Sequence, residues 1–318
     1  MQGAGKEFDY LMNEPYSTDV LAESLRKGTL VLFLGAGVSV GASLPRWKEL
    51  IESMRGELSL PKDGLGPSAD SLQAAADDVQ RKYFEKYPEN DKKGFAEFVG
   101  RCLYKGVKLD EGLVTDPGLV ALGALMSGSR RGSVNRVVTL NFDCVLEWYI
   151  SLYGLVPHVV TQLPADEGAE DVRIYHPHGF LPHPDFDAES GNFVILGLKS
   201  INERLGDISD DWSAFLRHIL TSGMVLFVGL SETSFRDRAI GPWLEHAAKK
   251  NEKRNPTLPT GFWVLKLEDD RTEADILKIK EEFLASRVVP LIETSEEAIT
   301  RLLLRICQKA AQLVSVSR

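Results

Sequence analysis

Cysteine is scarce in this 318-residue chain: Cys102, Cys144 and Cys307 are the only three, far apart and without a CxxC pair. That spacing supports neither a zinc ribbon nor a disulfide framework, and it points to three reduced, packed thiols in a cytosolic protein. Basic charge is also short. Lysine and arginine number 37 against 46 acidic residues, for a net charge of −9. Proteins that live on nucleic acid carry a basic excess or stripe, because phosphate neutralisation supplies most of their non-specific affinity. The densest basic run, Lys249, Lys250, Lys253 and Arg254, has Glu252 inside it and reads as a solvated helix end or turn. Direct nucleic-acid binding is therefore not expected, although a basic protein partner stays compatible. No apolar run reaches the ~18 residues of a membrane span. The opening stretch MQGAGKEFDYLMNEPYS has no apolar core of signal-peptide length. Internal repeats and low-complexity segments are missing too. The expectation is a soluble cytoplasmic protein with no membrane partner.

What is present is an ordinary globular mix, 43% hydrophobic and 26% charged. Short β-branched runs alternate with helical-period stretches, the pattern of an α/β fold: a Rossmann-like parallel sheet with helices on both faces. Strands are expected over 30–34, 134–140, 158–161, 172–175, 193–196, 224–228, 261–266 and 288–292. Helices are expected over 18–26, 46–54, 208–221, 235–249, 272–285 and 296–313. From about 61 to 133 no strand is convincing, and helical spacing over 71–83, 94–103 and 119–126 reads as a helical insertion after the first strand. The whole chain, 1–318, reads as one domain carrying that insertion.

The first buried strand runs into GAGVSVGASLP. Gly35 and Gly37 there let backbone approach a phosphate closely, and exposed N–H groups favour anions. A dinucleotide-binding GxGxxG fits poorly: position 40 is Val40, the third glycine is Gly41, and Glu52 and Glu57, ~20 residues on, fall in helical spacing instead of ending a second strand. A plain strand-to-helix turn is the competing reading.

Three further signals follow strands. Thr139-Leu140-Asn141-Phe142-Asp143 closes the second; Asp143 suits a helix cap, which leaves Asn141 redundant as a cap and placed where α/β sheets bind ligands. His176, His178 and His183 crowd into IYHPHGFLPH. A metal site there lacks a partner set, with Asp185 and Asp187 in a proline-containing loop. His178, followed by Gly179, is freer than His176 to meet a ligand and act as a base near neutral pH. Gly229-Leu230-Ser231 forms a second glycine turn, again with a plain turn as the alternative.

In order, these pieces resemble the sirtuin family: GAGVS at 35–39 with Pro45 and Trp47 downstream, TLNFD at 139–143, HPHG at 176–179 and GLS at 229–231. The two CxxC pairs that hold zinc in sirtuin deacylases are missing, position 140 is Leu140, and no acyl-lysine-binding strand pattern follows HPHG. T-x-N-F-D, P-x-W-x-x-L and H-x-H-G are closer to the sirtuin-like branch of prokaryotic antiphage systems, whose members destroy NAD.

The resemblance implies NAD as substrate, no zinc, and Asn141 and His178 as the catalytic pair. Gly35, Ala36, Gly37 and Ser39 would then hold the diphosphate; Asp143 and Ser231 would contact ribose or nicotinamide; Pro45, Trp47, Thr139 and Gly229 would complete the binding site. The expected activity is hydrolysis of the nicotinamide–ribose bond to nicotinamide and linear or cyclic ADP-ribose, in an abortive-infection defence role. Two alternatives stand: an NAD-dependent protein deacylase or ADP-ribosyltransferase, and a non-catalytic NAD-binding scaffold subunit. An ungated NADase would be toxic, so oligomerisation or a partner is expected to control it. In the resembling branch that partner is a HerA-type ATPase or an Argonaute-like protein.

Overall fold

The computed structural model describes residues 6–61, 66, 69–128, 130–165, 168, 170–186, 193–197, 201, 211–232, 235, 240–254, 256–267 and 271–316. Its centre is a seven-stranded, wholly parallel sheet of order β3-β4-β2-β1-β7-β8-β9. The strands are β1 (Leu30–Leu34), β2 (Arg136–Thr139), β3 (Pro157–Val160), β4 (Val172–Tyr175), β7 (Met224–Val228), β8 (Gly261–Lys266) and β9 (Val288–Glu293). A separate antiparallel ribbon joins β5 (Gly179–Phe180) to β6 (Phe193–Val194).

The apolar runs LVLFL and MVLFV lack alternation because both faces of the sheet are covered. β1 shows this directly. Leu30, Leu32 and Leu34 enter one core, shared with helices α1 (Glu14–Arg26), α2 (Trp47–Glu57), α6 (Pro117–Met126), α7 (Val145–Ser151) and α11 (Glu296–Val316). Val31 and Phe33 enter the other, under α8 (Asp211–Ser222), α9 (Gly241–Arg254) and α10 (Glu273–Ala285).

Between α2 and β2 lie α3 (Ala69–Lys86), α4 (Lys92–Leu103), the single turn α5 (Glu111–Val114), and α6. Local chemistry starts them: Asp91 caps α4 by accepting from the Gly94 amide, and Asp116 caps α6 before Pro117.

Several boundaries differ from expectation. The second strand is trimmed from 134–140 to Arg136–Thr139, because the Val134 amide turns to Leu125 of α6. The strand expected over 193–196 shortens to two residues and pairs with β5 outside the main sheet. The helix expected over 235–249 runs Gly241–Arg254, with Pro242 tolerated in its first turn; 236–239 lie outside the described residues, as do 208–210 of the helix expected over 208–221. Three short pieces lacked a periodic signature: α5 and 3₁₀ turns at Lys6–Met12 and Ala36–Ala42. Among the described residues no helix is long and apolar enough to cross a membrane.

Candidate active site

After β1 the chain crosses to β2, β4 and β3 on one side, and later returns through β7, β8 and β9 on the other. A reversal of this kind opens a crevice at the carboxyl ends of the strands. Register brings those ends level: Leu34 lies opposite both Thr139 and Val228, and Val138 opposite Tyr175. The four sequence signals therefore converge on one edge. A cleft of about 160 Å³ opens there, lined among others by Gly35, Ala36, Ser39, Pro45, Trp47, Asn141, Asp143 and His178.

Asn141 is held through nearly all of its polar groups. Its amide N–H donates to Thr139 Oγ1 at 3.1 Å, which is why threonine stands two residues earlier. Its side-chain Nδ2 donates to the Gly35 carbonyl at 3.2 Å and to Ser39 Oγ at 3.1 Å. The Gly35 carbonyl can only accept, so the amide orientation is fixed by chemistry. Both Nδ2 hydrogens are thus used, and Oδ1 remains as an acceptor on a residue that lines the cleft.

Ser39 passes the chain on, its hydroxyl donating to the Asp143 carboxylate at 3.0 Å. Asp143 also accepts from the Val145 amide at the start of α7. The N-cap position itself falls on Cys144, which makes no side-chain cap bond, so Asp143 serves the first turn from one residue before the cap and faces the cleft as well. Burial pushes its carboxyl up to about 6, reinforced by the nearby Glu147 and opposed by the Val145 amide, Ser39 and His176.

The two histidines of HPHG part company. His176 is fully buried, its Nδ1 3.0 Å from the Asn141 carbonyl and its Nε2 2.7 Å from Glu147 Oε1. His178 lines the cleft, with its ring 6.5 Å from that of Phe142. Gly179 sits at φ +106°, and a side chain there would collide with the Phe193 carbonyl of β6. The glycine thus turns the chain immediately after His178. His183 is remote from this pair in role: its ring packs edge-on to Tyr104, and its Nδ1 accepts from the Asp185 amide. Asp187 lies outside the described residues. Among the described residues, no group of three or more His, Cys, Asp or Glu could hold a metal ion.

The glycine turns after β1 and β7 prove to be one contact. The Gly35 amide donates to Val228, the Gly37 amide to Gly229, and the Val38 amide back to Gly35. Gly229 takes φ +72°, and a Cβ on it would strike the Val38 amide. Among the described residues the Ala36 amide has no partner, and Ala36 lines the cleft. Gly37, Thr139 and Gly229 support the site from behind, whereas Ser231 is exposed beyond it and Leu230 takes the lining position.

Sequence reasoning missed Glu147, buried behind Asp143 at i, i+4, a spacing visible in DCVLE but with no reason to single it out. It also missed Gln73 and Leu103, which the insertion helices α3 and α4 bring into the cleft wall. Tyr104, just past α4, donates to the Leu181 carbonyl at 2.6 Å and accepts from the Cys144 amide, pinning the insertion to the segment after HPHG.

Residues 135–286 match the family model described as "SIR2-like domain". A solved structure from "Structural Basis for the Mechanism and Regulation of Sir2 Enzymes" is similar at 16% identity and a TM-score of 0.47, covering 95% of this chain and 98% of that one. An overlap that loose says nothing about the site. No curated protein matches the chain.

Proposed function

From a chain that is sirtuin-like across residues 135–286, we propose an NAD-consuming hydrolase that breaks the nicotinamide–ribose bond. The observation that carries this reading is the arrangement of Asn141 and His178: an amide pinned so that it offers the cleft only an acceptor, in the same wall as a histidine. NAD supplies a ribose–nicotinamide bond whose cleavage places positive charge on the ribose. The residues suit that chemistry. Asn141 Oδ1 accepts a hydrogen from a ribose hydroxyl or a water and fixes its orientation. His178 takes a proton from the hydroxyl or water beside it. Pro45, Trp47, Leu140 and Leu196 give the cleft an apolar wall that excludes bulk water and suits an aromatic ring. For the diphosphate, the Ala36 amide is the available donor of the glycine turn; the amides of Gly35 and Gly37 are already used, so those residues contribute close backbone approach.

The proposal extends to an abortive-infection role, gated by self-assembly or by a partner such as a HerA-type ATPase or an Argonaute-like protein, in the cytoplasm and without structural zinc. The test is incubation of the purified chain with NAD, alone and assembled, with products separated by chromatography. Nicotinamide and ADP-ribose are expected; intact NAD in every assembly state sinks the reading. Cleavage that requires an acyl-lysine peptide would instead favour a deacylase, and tight NAD binding without turnover would favour a scaffold.

A further inference from the structure

The group that acts on Asn141 from behind is outside every role assigned so far. Besides Oδ1, Asn141 has three polar groups, and they make four contacts: its amide N–H is held by Thr139, its side-chain nitrogen by Gly35 and Ser39, and its carbonyl oxygen by His176 Nδ1. A carbonyl oxygen only accepts, so Nδ1 carries the hydrogen. The opposite nitrogen, Nε2, meets Glu147 Oε1 at 2.7 Å, a separation that holds one shared proton. Both side chains are sealed from solvent, at 0% and 1% exposure, and Glu147 Oε2 has no partner among the described residues. A buried carboxyl with an unsatisfied oxygen is expensive to keep. Packing alone would be served by an apolar pair of the same size.

We infer that His176 and Glu147 form a positioning pair for the reaction: Glu147 fixes the ring and tautomer of His176, and His176 holds the Asn141 carbonyl so that Oδ1 meets the ribose or water at the correct angle. The geometry is that of a histidine oriented by a carboxylate, here directed at backbone behind a catalytic amide instead of at substrate. Neither residue touches the cleft, so neither is catalytic. Asp143, one turn before Glu147 on α7, lies in the same buried cluster and bonds separately to Ser39 and Val145.

This inference rests on the NAD-cleavage reading, and its test separates the two. In His176→Asn the side-chain amide nitrogen takes the place of Nδ1 and still reaches the Asn141 carbonyl. In His176→Gln it takes the place of Nε2 and keeps the Glu147 contact alone. Steady-state NAD cleavage on the full chain should show kcat lowered about 10-fold in His176→Gln with KM little changed, the equivalent of one hydrogen bond, while His176→Asn recovers most of it. Should the unsatisfied Glu147 prevent His176→Asn from folding, the double variant with Glu147→Gln removes that charge and is compared in its place. Equal impairment by the Asn and Gln variants, or no impairment by either, overturns the inference while leaving a cleaving wild type intact. A wild type that cleaves no NAD removes the larger reading and this inference with it.

Discussion

The carboxyl edge of the sheet has two halves built on opposite principles. On the β1-β2-β4 side, Ser39, Asn141, Asp143, Glu147, His176 and His178 are all buried, and hydrogen bonds link the first five. On the β7-β8-β9 side the buried groups are rings: Phe227, Phe235, Trp263 and Phe283 meet at centroid separations of 4.5–5.3 Å. Among them, Trp263 Nε1 donates to the Leu230 carbonyl, which sets the far wall of the cleft. Buried polar clusters weaken a fold unless fully satisfied, and aromatic clusters strengthen it. The difference teaches that the polar groups and the rigid aromatic packing of this edge are kept in separate halves.

Substitutions at the cleft face of the polar half should act on activity first. His178→Ala should lower NAD turnover by about 10²–10⁴-fold, the usual contribution of a general base, against roughly 10-fold for His176→Ala, which loses one buried hydrogen bond. Equal losses in two folded proteins would erase the division between the histidines. Asn141→Ala should behave likewise, with turnover abolished and NAD affinity, measured calorimetrically, largely kept. If Asn141 were only a cap, the same change would lower stability by ~1 kcal/mol and leave cleavage intact.

On the aromatic half the expected effect is thermodynamic. Trp263→Ala should destabilise by about 3–5 kcal/mol, as large-to-small changes in a packed core do, with kcat per folded molecule changing far less than in His178→Ala. Denaturant titration beside single-turnover cleavage checks both. A kinetic collapse in a well-folded Trp263→Ala would show that the halves are not separable.

The smallest effect concerns pH. Asp143 ionises near 3.8 when unfolded and at about 6 in the folded chain. Between those values the folded state keeps a proton that the unfolded state has released, so this group stabilises at low pH and loses that contribution as pH rises through about 6. The swing is on the order of 3 kcal/mol. Stability against pH should fall more steeply from pH 4 to 6 in the wild type than in Asp143→Asn. Parallel curves would place the carboxyl in a wetter setting than its burial implies.

The sheet was readable because its strands are apolar on both faces and end in glycine or in polar residues. LVLFL and MVLFV needed no alternation to be recognised, and TLNFD and HPHG lie together at the carboxyl edge of the sheet. Expectation failed where tertiary contact decides. Gly37 and Gly229 each read as an independent turn, and only the fold shows them pressed together. Glu147 looked like any acidic helix residue until its partner at position 176 was placed. Gln73 gave no signal, since its helix reaches the cleft by packing and not by sequence neighbourhood.

That glycine-to-glycine contact also sets an order of events. The turn at Gly35–Gly37 leaves the ribosome early, followed by Asn141 and His178, yet the cleft floor closes only when β7 slots in beside β1 and Gly229 meets Gly37. Until then the nascent chain carries these side chains without a cleft around them. On the proposed NAD-cleaving reading, the chain would in this way stay inert through most of its own synthesis, held back by topology alone.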